Sequence, residues 1–301
     1  MKGFEEEIQD FLKANGVESV EGRAVFPIPM NSLSANEAQW QAEVLKTRLE
    51  VAANAGQTCP IIIPEDRWRR QRKMMEARIL AHLEIFFPIY ARNCEVRRIE
   101  KAEAAAFLEA NHSYGDAACR YRYGLFLKRH TGAKSLTPSS PLVRSDFPAG
   151  TLVAVAEFSN ARKWIKGDKT IRSYEWTRYA SLPGVRIIGG MGKVLRHFIK
   201  EVQPDDIMSY ADLEWSEGSV YEQLGFQLEG HKAPVMFKVN MQDWSRQPLK
   251  AQSTYKDNRE AVFVGETSVF DDVAFIDATG KYSYYQNLGS NKYRLKLTDY
   301  E

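Results

Sequence analysis

Three glycines within four residues, Gly189, Gly190 and Gly192, follow the apolar pair Ile187-Ile188 and lead into Lys193. Positions without a Cβ let a ligand come close to the backbone, and a helix that begins there points free N–H groups at an anion. A pyrophosphate suits such a turn, and Lys193 adds a positive charge. A strand-to-helix turn that needs glycine for its geometry alone explains the same residues, and spacing leaves the two readings level.

Other residues could move protons. His112 stands in the polar run Asn111-His112-Ser113-Tyr114-Gly115-Asp116, where an imidazole of near-neutral pKa is able to act as a base, or simply to cap a helix. Asp212 closes an apolar stretch, Ile207 to Tyr210, and either orients His112 or caps the loop that follows. Ser216 is a weaker candidate in that loop. Glu157, Glu175 and Arg178 lie in strand-like runs, where a carboxylate could work through a water. His82, His130, His197 and His231 have no partners at metal-ligand spacing, so no metal site is expected.

A cationic stretch is separate from these. Arg67, Arg69, Arg70, Arg72, Lys73 and Arg78 surround Trp68 over about three helical turns, with Glu76 as the acid within the span. Such a helix neutralises phosphates and offers Trp68 for stacking on a base, or it is a solvated amphipathic helix whose Trp68, Met75 and Ile79 face a core.

The elements that must position these residues follow from periodicity. Phe4, Ile8, Phe11 and Leu12 repeat at helical spacing up to Asn15-Gly16. The box Ser34 to Glu37 opens a helix that runs to about Ala55, and Pro64-Glu65-Asp66 opens a third that reaches about Leu83. Strands are expected at Cys59–Ile63, Cys94–Ile99, Tyr121–Lys128, Leu152–Phe158, Ser173–Tyr179, Ile207–Tyr210, Phe226–Leu228 and Val235–Val239. Helices are expected at Lys101–Asn111, from Gly192 to Val202, and at Ser219–Leu224. Thr131 to Gly150, rich in Pro, Ser and Gly, reads as an exposed loop. Beyond Asn240 a polar linker leads to strand-like runs at Phe263, Val269 to Phe275 and Tyr282 to Leu297, with turns at Thr279-Gly280 and Gly289-Ser290-Asn291.

In this order of elements the run Tyr221-Glu222-Gln223-Leu224-Gly225-Phe226 resembles the Y-E-x-x-G-F of the last helix in the GNAT superfamily of acyltransferases. The glycine turn resembles that superfamily's acyl-CoA pyrophosphate loop: Arg186 and Gly189 fit its R/Q-x-x-G-x-G/A pattern in one register, Gly190 and Gly192 in another with Ile187 in the basic position. The resemblance implies an α/β fold with a GNAT-like mixed sheet flanked by helices and an acetyl-CoA or other acyl-CoA donor. It also implies a role for Tyr221 in protonating the departing thiolate, unless that tyrosine only packs on the sheet. From about Ile89 to Val239, segments such as Phe107-Leu108-Glu109-Ala110-Asn111-His112, Ser209-Tyr210-Ala211-Asp212 and Trp215-Ser216 look like a phage-encoded GNAT-like family. The layout is similar to the Mom proteins, which modify adenine in phage DNA with a histidine after the first helix and an Asp and Tyr near the end. Ile61 to Trp68 also resembles the closing strand and helix of a mismatch-repair-type nuclease domain, but no D…E-x-K metal site precedes it, which points to a DNA-binding remnant.

The expected organisation is a helical, basic region over 1–88, a GNAT-like transferase domain over 89–240 and a small β-rich C-terminal extension over 241–301. The expected function is transfer of an acyl group to an amino group of a DNA base; a catalytically silent module that binds nucleic acid or protein is the alternative. Composition is compatible with both: 301 residues, 44% hydrophobic, and 41 basic against 39 acidic residues, a net charge of +2. Cys59, Cys94 and Cys119 fit neither a disulfide framework nor a zinc pattern. No signal-peptide pattern and no long apolar span is present, so a cytoplasmic location is expected, in the host cytoplasm for a phage-encoded chain.

Overall fold

In the computed structural model, which describes residues 3–17, 25–31, 34–132, 146–249 and 280–300, Leu152–Phe158 forms a strand buried at every position after its first. A strand without polar alternation needs cover on both faces, and the surrounding elements provide it. In chain order the strands are β1 (Val25–Ile28), β2 (Ile61–Pro64), β3 (Phe87–Tyr90), β4 (Cys94–Arg98), β5 (Tyr121–Leu127), the short β6 (Thr131–Gly132) and β7 (Asp146–Phe147), and β8 (Leu152–Phe158). They continue with β9 (Arg162–Lys166), β10 (Lys169–Ser181), β11 (Val185–Ile188), β12 (Asp206–Asp212), β13 (Gln227–Lys232), β14 (Met236–Asn240), β15 (Arg246–Pro248), β16 (Tyr282–Gln286) and β17 (Ser290–Lys296). The helices are α1 (Phe4–Ala14), α2 (Ala35–Asn54), α3 (Glu65–Arg70), α4 (Arg72–His82), α5 (Lys101–Asn111), α6 (Gly190–Val202) and α7 (Ser219–Gln223).

One mixed sheet runs β13-β17-β12-β10-β8-β5-β4, with β9 paired to β10 outside that path. Val155 and Phe158 lie on opposite faces of β8 because strand side chains alternate. Val155 meets Ala104, Phe107 and Leu108 of α5. On the other face Phe158 stacks on Phe198 of α6, ring centres 3.9 Å apart and 4° from parallel. The expected mixed sheet with flanking helices is therefore present.

Two features depart from the expected layout. The third helix breaks at Gln71 (φ −124°, ψ 39°), which separates α3 from α4. The strands expected near the C-terminal end are present, and one of them is an integral part of the sheet: β17 lies between β12 and β13, antiparallel to both. The N-terminal elements are tied in as well. Arg246 Nε and Nη2 each lie 2.5 Å from a carboxylate oxygen of Asp66, the Ile62 N–H donates to the Glu214 carbonyl at 2.9 Å, and Tyr285 donates to Glu214. The expected strands at Phe263 and Val269 to Phe275, and residues 133–145 of the expected loop, lie outside the described residues. Among the described residues no helix is long and apolar enough to cross a membrane.

Candidate active site

The sheet forks between β10 and β12. These neighbours run parallel, yet their register covers only Ser173 to Glu175 against Asp206 to Met208. From there β10 continues to Ser181 along β8, while β12 continues to Asp212 along β17. A bulge in β10 between Trp176 and Arg178 accompanies the divergence. Just past the last backbone pair a side chain bridges the gap: the Ser209 hydroxyl donates to the Trp176 carbonyl at 2.8 Å. That hydroxyl has one proton, so Tyr221, with its oxygen 2.8 Å away, donates to Ser209. The Tyr221 ring stacks on Tyr293 (5.4 Å, 25°) and meets Trp176 and Phe226 edge-on. Burial raises the phenol's pKa, which keeps the proton on it at neutral pH.

The glycine turn adjoins the fork. Gly189 caps α6 in the left-handed conformation (φ 75°, ψ 10°), a position that suits glycine, and no side chain caps the first turn. Ile188 and Gly189 are exposed, whereas Ile187, Gly190 and Gly192 are buried. The two buried glycines have a packing reason of their own: a Cβ on Gly190 would lie 2.5 Å from the Tyr179 hydroxyl, and one on Gly192 would lie 3.1 Å from Leu224 Cδ2. Lys193 is turned inward, its ammonium donating to the carbonyls of Ala91 (2.9 Å) and Cys94 (2.6 Å). Burial first, then Lys128, lowers its pKa, with Arg196 contributing. Arg196 reaches the turn, with Nη1 3.3 Å from where a Gly192 Cβ would be.

On the α5 side of the sheet, His112 and Asp212 are brought together through a residue the sequence did not single out. Tyr114 donates its backbone N–H to His112 Nδ1 at 3.1 Å and its hydroxyl to Asp212 Oδ2 at 2.9 Å. Arginines from three elements surround this link. Arg67 of α3 donates to the Ser113 carbonyl at 2.6 Å and sits 4.8 Å over the Tyr114 ring. Arg178 of β10 donates to the Gly115 carbonyl at 3.0 Å. Arg78 of α4 packs 4.2 Å over Trp215; burial lowers its pKa to about 10, against the pull of Asp212. Burial, reinforced by Arg78, Arg178 and Arg67, lowers His112 to about 3. His112 is therefore a neutral hydrogen-bond acceptor and a weak base. Ser216 is occupied by its own turn, its hydroxyl accepting the Gly218 N–H at 3.0 Å.

A stronger base lies one strand away. Glu157, on β8, is registered with Arg122 on one side and Arg178 on the other, and it is fully buried. Arg122 Nε approaches it at 3.2 Å. Burial, then the carboxyl of Asp116, pushes Glu157 up to about 7, in the range where a carboxyl group exchanges protons with an amine substrate's surroundings. Its signal in the sequence was a single acid inside an apolar strand.

The basic stretch is largely spoken for. Trp68, expected as a possible base-stacking residue, is 0% exposed: its Nε1 donates to Glu7 at 3.1 Å and Phe4 and Phe11 pack edge-on against it. This corrects the stacking role, because a ring enclosed by a core presents no face to a nucleotide. Arg69 pairs with Glu7 and Glu65, and Arg72 with Glu7 and Glu76. Of the expected set only Arg70 and Lys73 are exposed. Three of the remaining histidines have polar partners at the surface: Asp146 for His130, Asn291 for His231 and Glu201 for His197. Among the described residues no group of three metal-ligating side chains converges.

The chain matches no family model and no curated protein. Among solved structures, a protein from Enterococcus faecalis described as a conserved protein of unknown function and probable N-acyltransferase aligns with a TM-score of 0.32 at 12% identity, over 50% of this chain and 36% of that one. The chain thus spans about a third of that protein, and a likeness of this size bears on neither fold nor function.

Proposed function

We propose that the chain is a GNAT-like transferase that moves an acyl group from an acyl-CoA-type thioester to an amine. The observation that carries this reading is the fork between β10 and β12, with the Tyr221 hydroxyl at its apex and the uncapped first turn of α6 beside it. A slot between two splayed parallel strands accepts an extended chain, and an uncapped helix start accepts its phosphates. Ile188, Gly189 and Arg196 would hold the phosphates, while Gly190 and Gly192 let Tyr179 and Leu224 close the packing underneath.

When bound, the thioester supplies the acyl carbon. The amine nitrogen bonds to that carbon as the carbon–sulfur bond breaks. Tyr221 gives its proton to the departing sulfur, and the amine's proton passes to the Glu157 and Asp116 carboxyl pair, by way of water because Glu157 is enclosed. His112 holds Tyr114 in place and acts as an acceptor, a role that fits its depressed pKa better than that of base.

An amino group of a DNA base remains the acceptor we propose, in the manner of the phage enzymes the sequence resembles. It no longer rests on Trp68. Titration calorimetry with acetyl-CoA tests the donor, with saturable heat expected and none at millimolar donor counting against it. Mass spectrometry of nucleosides from cells making the protein tests the acceptor; an unmodified digest rejects a DNA base. One observation favours a catalytically silent binding module instead, namely that the Lys193 ammonium is committed to two backbone carbonyls.

A further inference from the structure

One exposed surface that is both basic and aromatic is a β-hairpin. Strands β9 and β10 pair antiparallel from Arg162 with Ser173 to Lys166 with Lys169, across the two-residue turn Gly167-Asp168. Gly167 has φ +57°, as the first central residue of a tight hairpin turn of mirror-image type requires. Every residue of β9 is exposed, and β9 lies off the main strand path, so the ribbon stands out from the sheet.

Its chemistry is one-sided. From Arg162 to Arg172 the ribbon carries Arg162, Lys163, Lys166, Lys169 and Arg172 against Asp168 alone. Arg172 is engaged with Asp205 and the Gln203 carbonyl, and Lys169 with the Asp299 carbonyl. Arg162, Lys163 and Lys166 have no ion-pair partner among the described residues. Alternation puts Arg162, Trp164 and Lys166 on one face and Lys163 and Ile165 on the other. Trp164 rests edge-on against Tyr300 (5.3 Å, 89°) and is still 36% exposed as a residue, and Ile165 is 79% exposed. Charges on both faces of a two-stranded ribbon are placed to meet the phosphates on both walls of a groove; the major groove of duplex DNA, roughly 12 Å wide, admits such a ribbon.

We propose that the β9–β10 hairpin is a duplex-DNA contact, with Arg162, Lys163 and Lys166 on backbone phosphates and Ile165, one pair behind the turn, in the groove. This deepens the DNA-acceptor reading but needs no acyl transfer, so the two fail separately. The test is fluorescence anisotropy of the full chain with a labelled DNA duplex, without donor, over a series of salt concentrations. Wild type is expected to bind with log K falling linearly in log salt, and Lys163→Ala/Lys166→Ala to bind more weakly with a slope shallower by about 1.8. The substituted residues are exposed, so an unchanged melting temperature is expected alongside. Equal affinity and slope for both proteins would overturn the proposal. So would absence of duplex binding, or a hairpin-dependent interaction confined to vesicles of anionic lipid.

Discussion

The Tyr221 hydroxyl donates to Ser209, which donates in turn to the Trp176 carbonyl, so one relay of hydroxyls spans the point where β10 and β12 part. Tyr221→Phe removes the terminal hydroxyl and leaves the ring's stacking on Tyr293 in place. Turnover is expected to fall at least tenfold with donor affinity unchanged, while stability drops by about 1 kcal/mol, the usual size of one lost hydrogen bond. Steady-state kinetics beside calorimetry checks both parts, and normal turnover would remove Tyr221 from the chemistry.

The two buried glycines of the turn separate packing from ligand binding. Gly190→Ala drives a methyl against the Tyr179 hydroxyl and Ile187 and is expected to lower stability by about 1–3 kcal/mol. Gly192→Ala meets Leu224 and the flexible end of Arg196 at 3.1 and 3.3 Å and should be milder. Thermal melts rank the two. A melt at the wild-type temperature for Gly190→Ala would show that the turn moves freely.

Glu157 gives a pH dependence with a definite sign. Burial raises its native pKa to about 7 from the 4.5 of a free glutamate, so the folded state holds the proton more tightly than the unfolded one. The stabilisation is complete below the unfolded value and is lost as pH rises through 7, on the order of 3 kcal/mol in all. Glu157→Gln should therefore gain stability relative to wild type between pH 5 and pH 8, and chemical denaturation at the two pH values measures it. If the difference is the same at both, Glu157 does not titrate in that interval.

His112 runs the other way. Its native pKa is depressed to about 3 from 6.5, so its stabilising contribution is present above 6.5 and is lost as pH falls towards 3. His112→Gln is expected to flatten the fall in melting temperature between pH 6.5 and pH 4, and an unaltered acid limb would contradict the neutral imidazole.

Trp68→Ala opens a void in the core around Phe4, Phe11 and Met75 and should cost about 3–5 kcal/mol. Trp68→Phe keeps most of that volume, and DNA affinity measured by anisotropy should then equal wild type. A selective loss of affinity in the phenylalanine variant would restore the stacking role.

What the sequence disclosed was local. The helix Lys101–Asn111 coincides with α5 because its apolar spacing and the polar run after it act within a few residues. Likewise Tyr221 to Phe226 falls on α7 and its glycine stop, Gly225, at φ 88°. The two readings of the basic stretch stay level in the sequence because Glu7, which joins Glu65 and Glu76 in pairing with Arg69 and Arg72, lies about sixty residues earlier and arrives only with the tertiary fold. Tyr114 was hidden for the same reason, since its partner Asp212 is in a distant strand. The β9 strand carries little local signal, since Arg162 to Lys166 does not alternate apolar with polar residues and Gly167-Asp168 is its main turn cue.

The place of β17 sets the order in which this architecture can be completed. Until Ser290 to Lys296 insert, β12 lacks its pairing partner opposite β10, and β13 has no neighbour in the sheet. Contacts so distant along the chain slow folding, and bare strand edges recruit other strands. Fragments that stop short of Ser290 leave the β12 and β13 edges bare and are expected to self-associate, whatever the state of the residues that perform the chemistry.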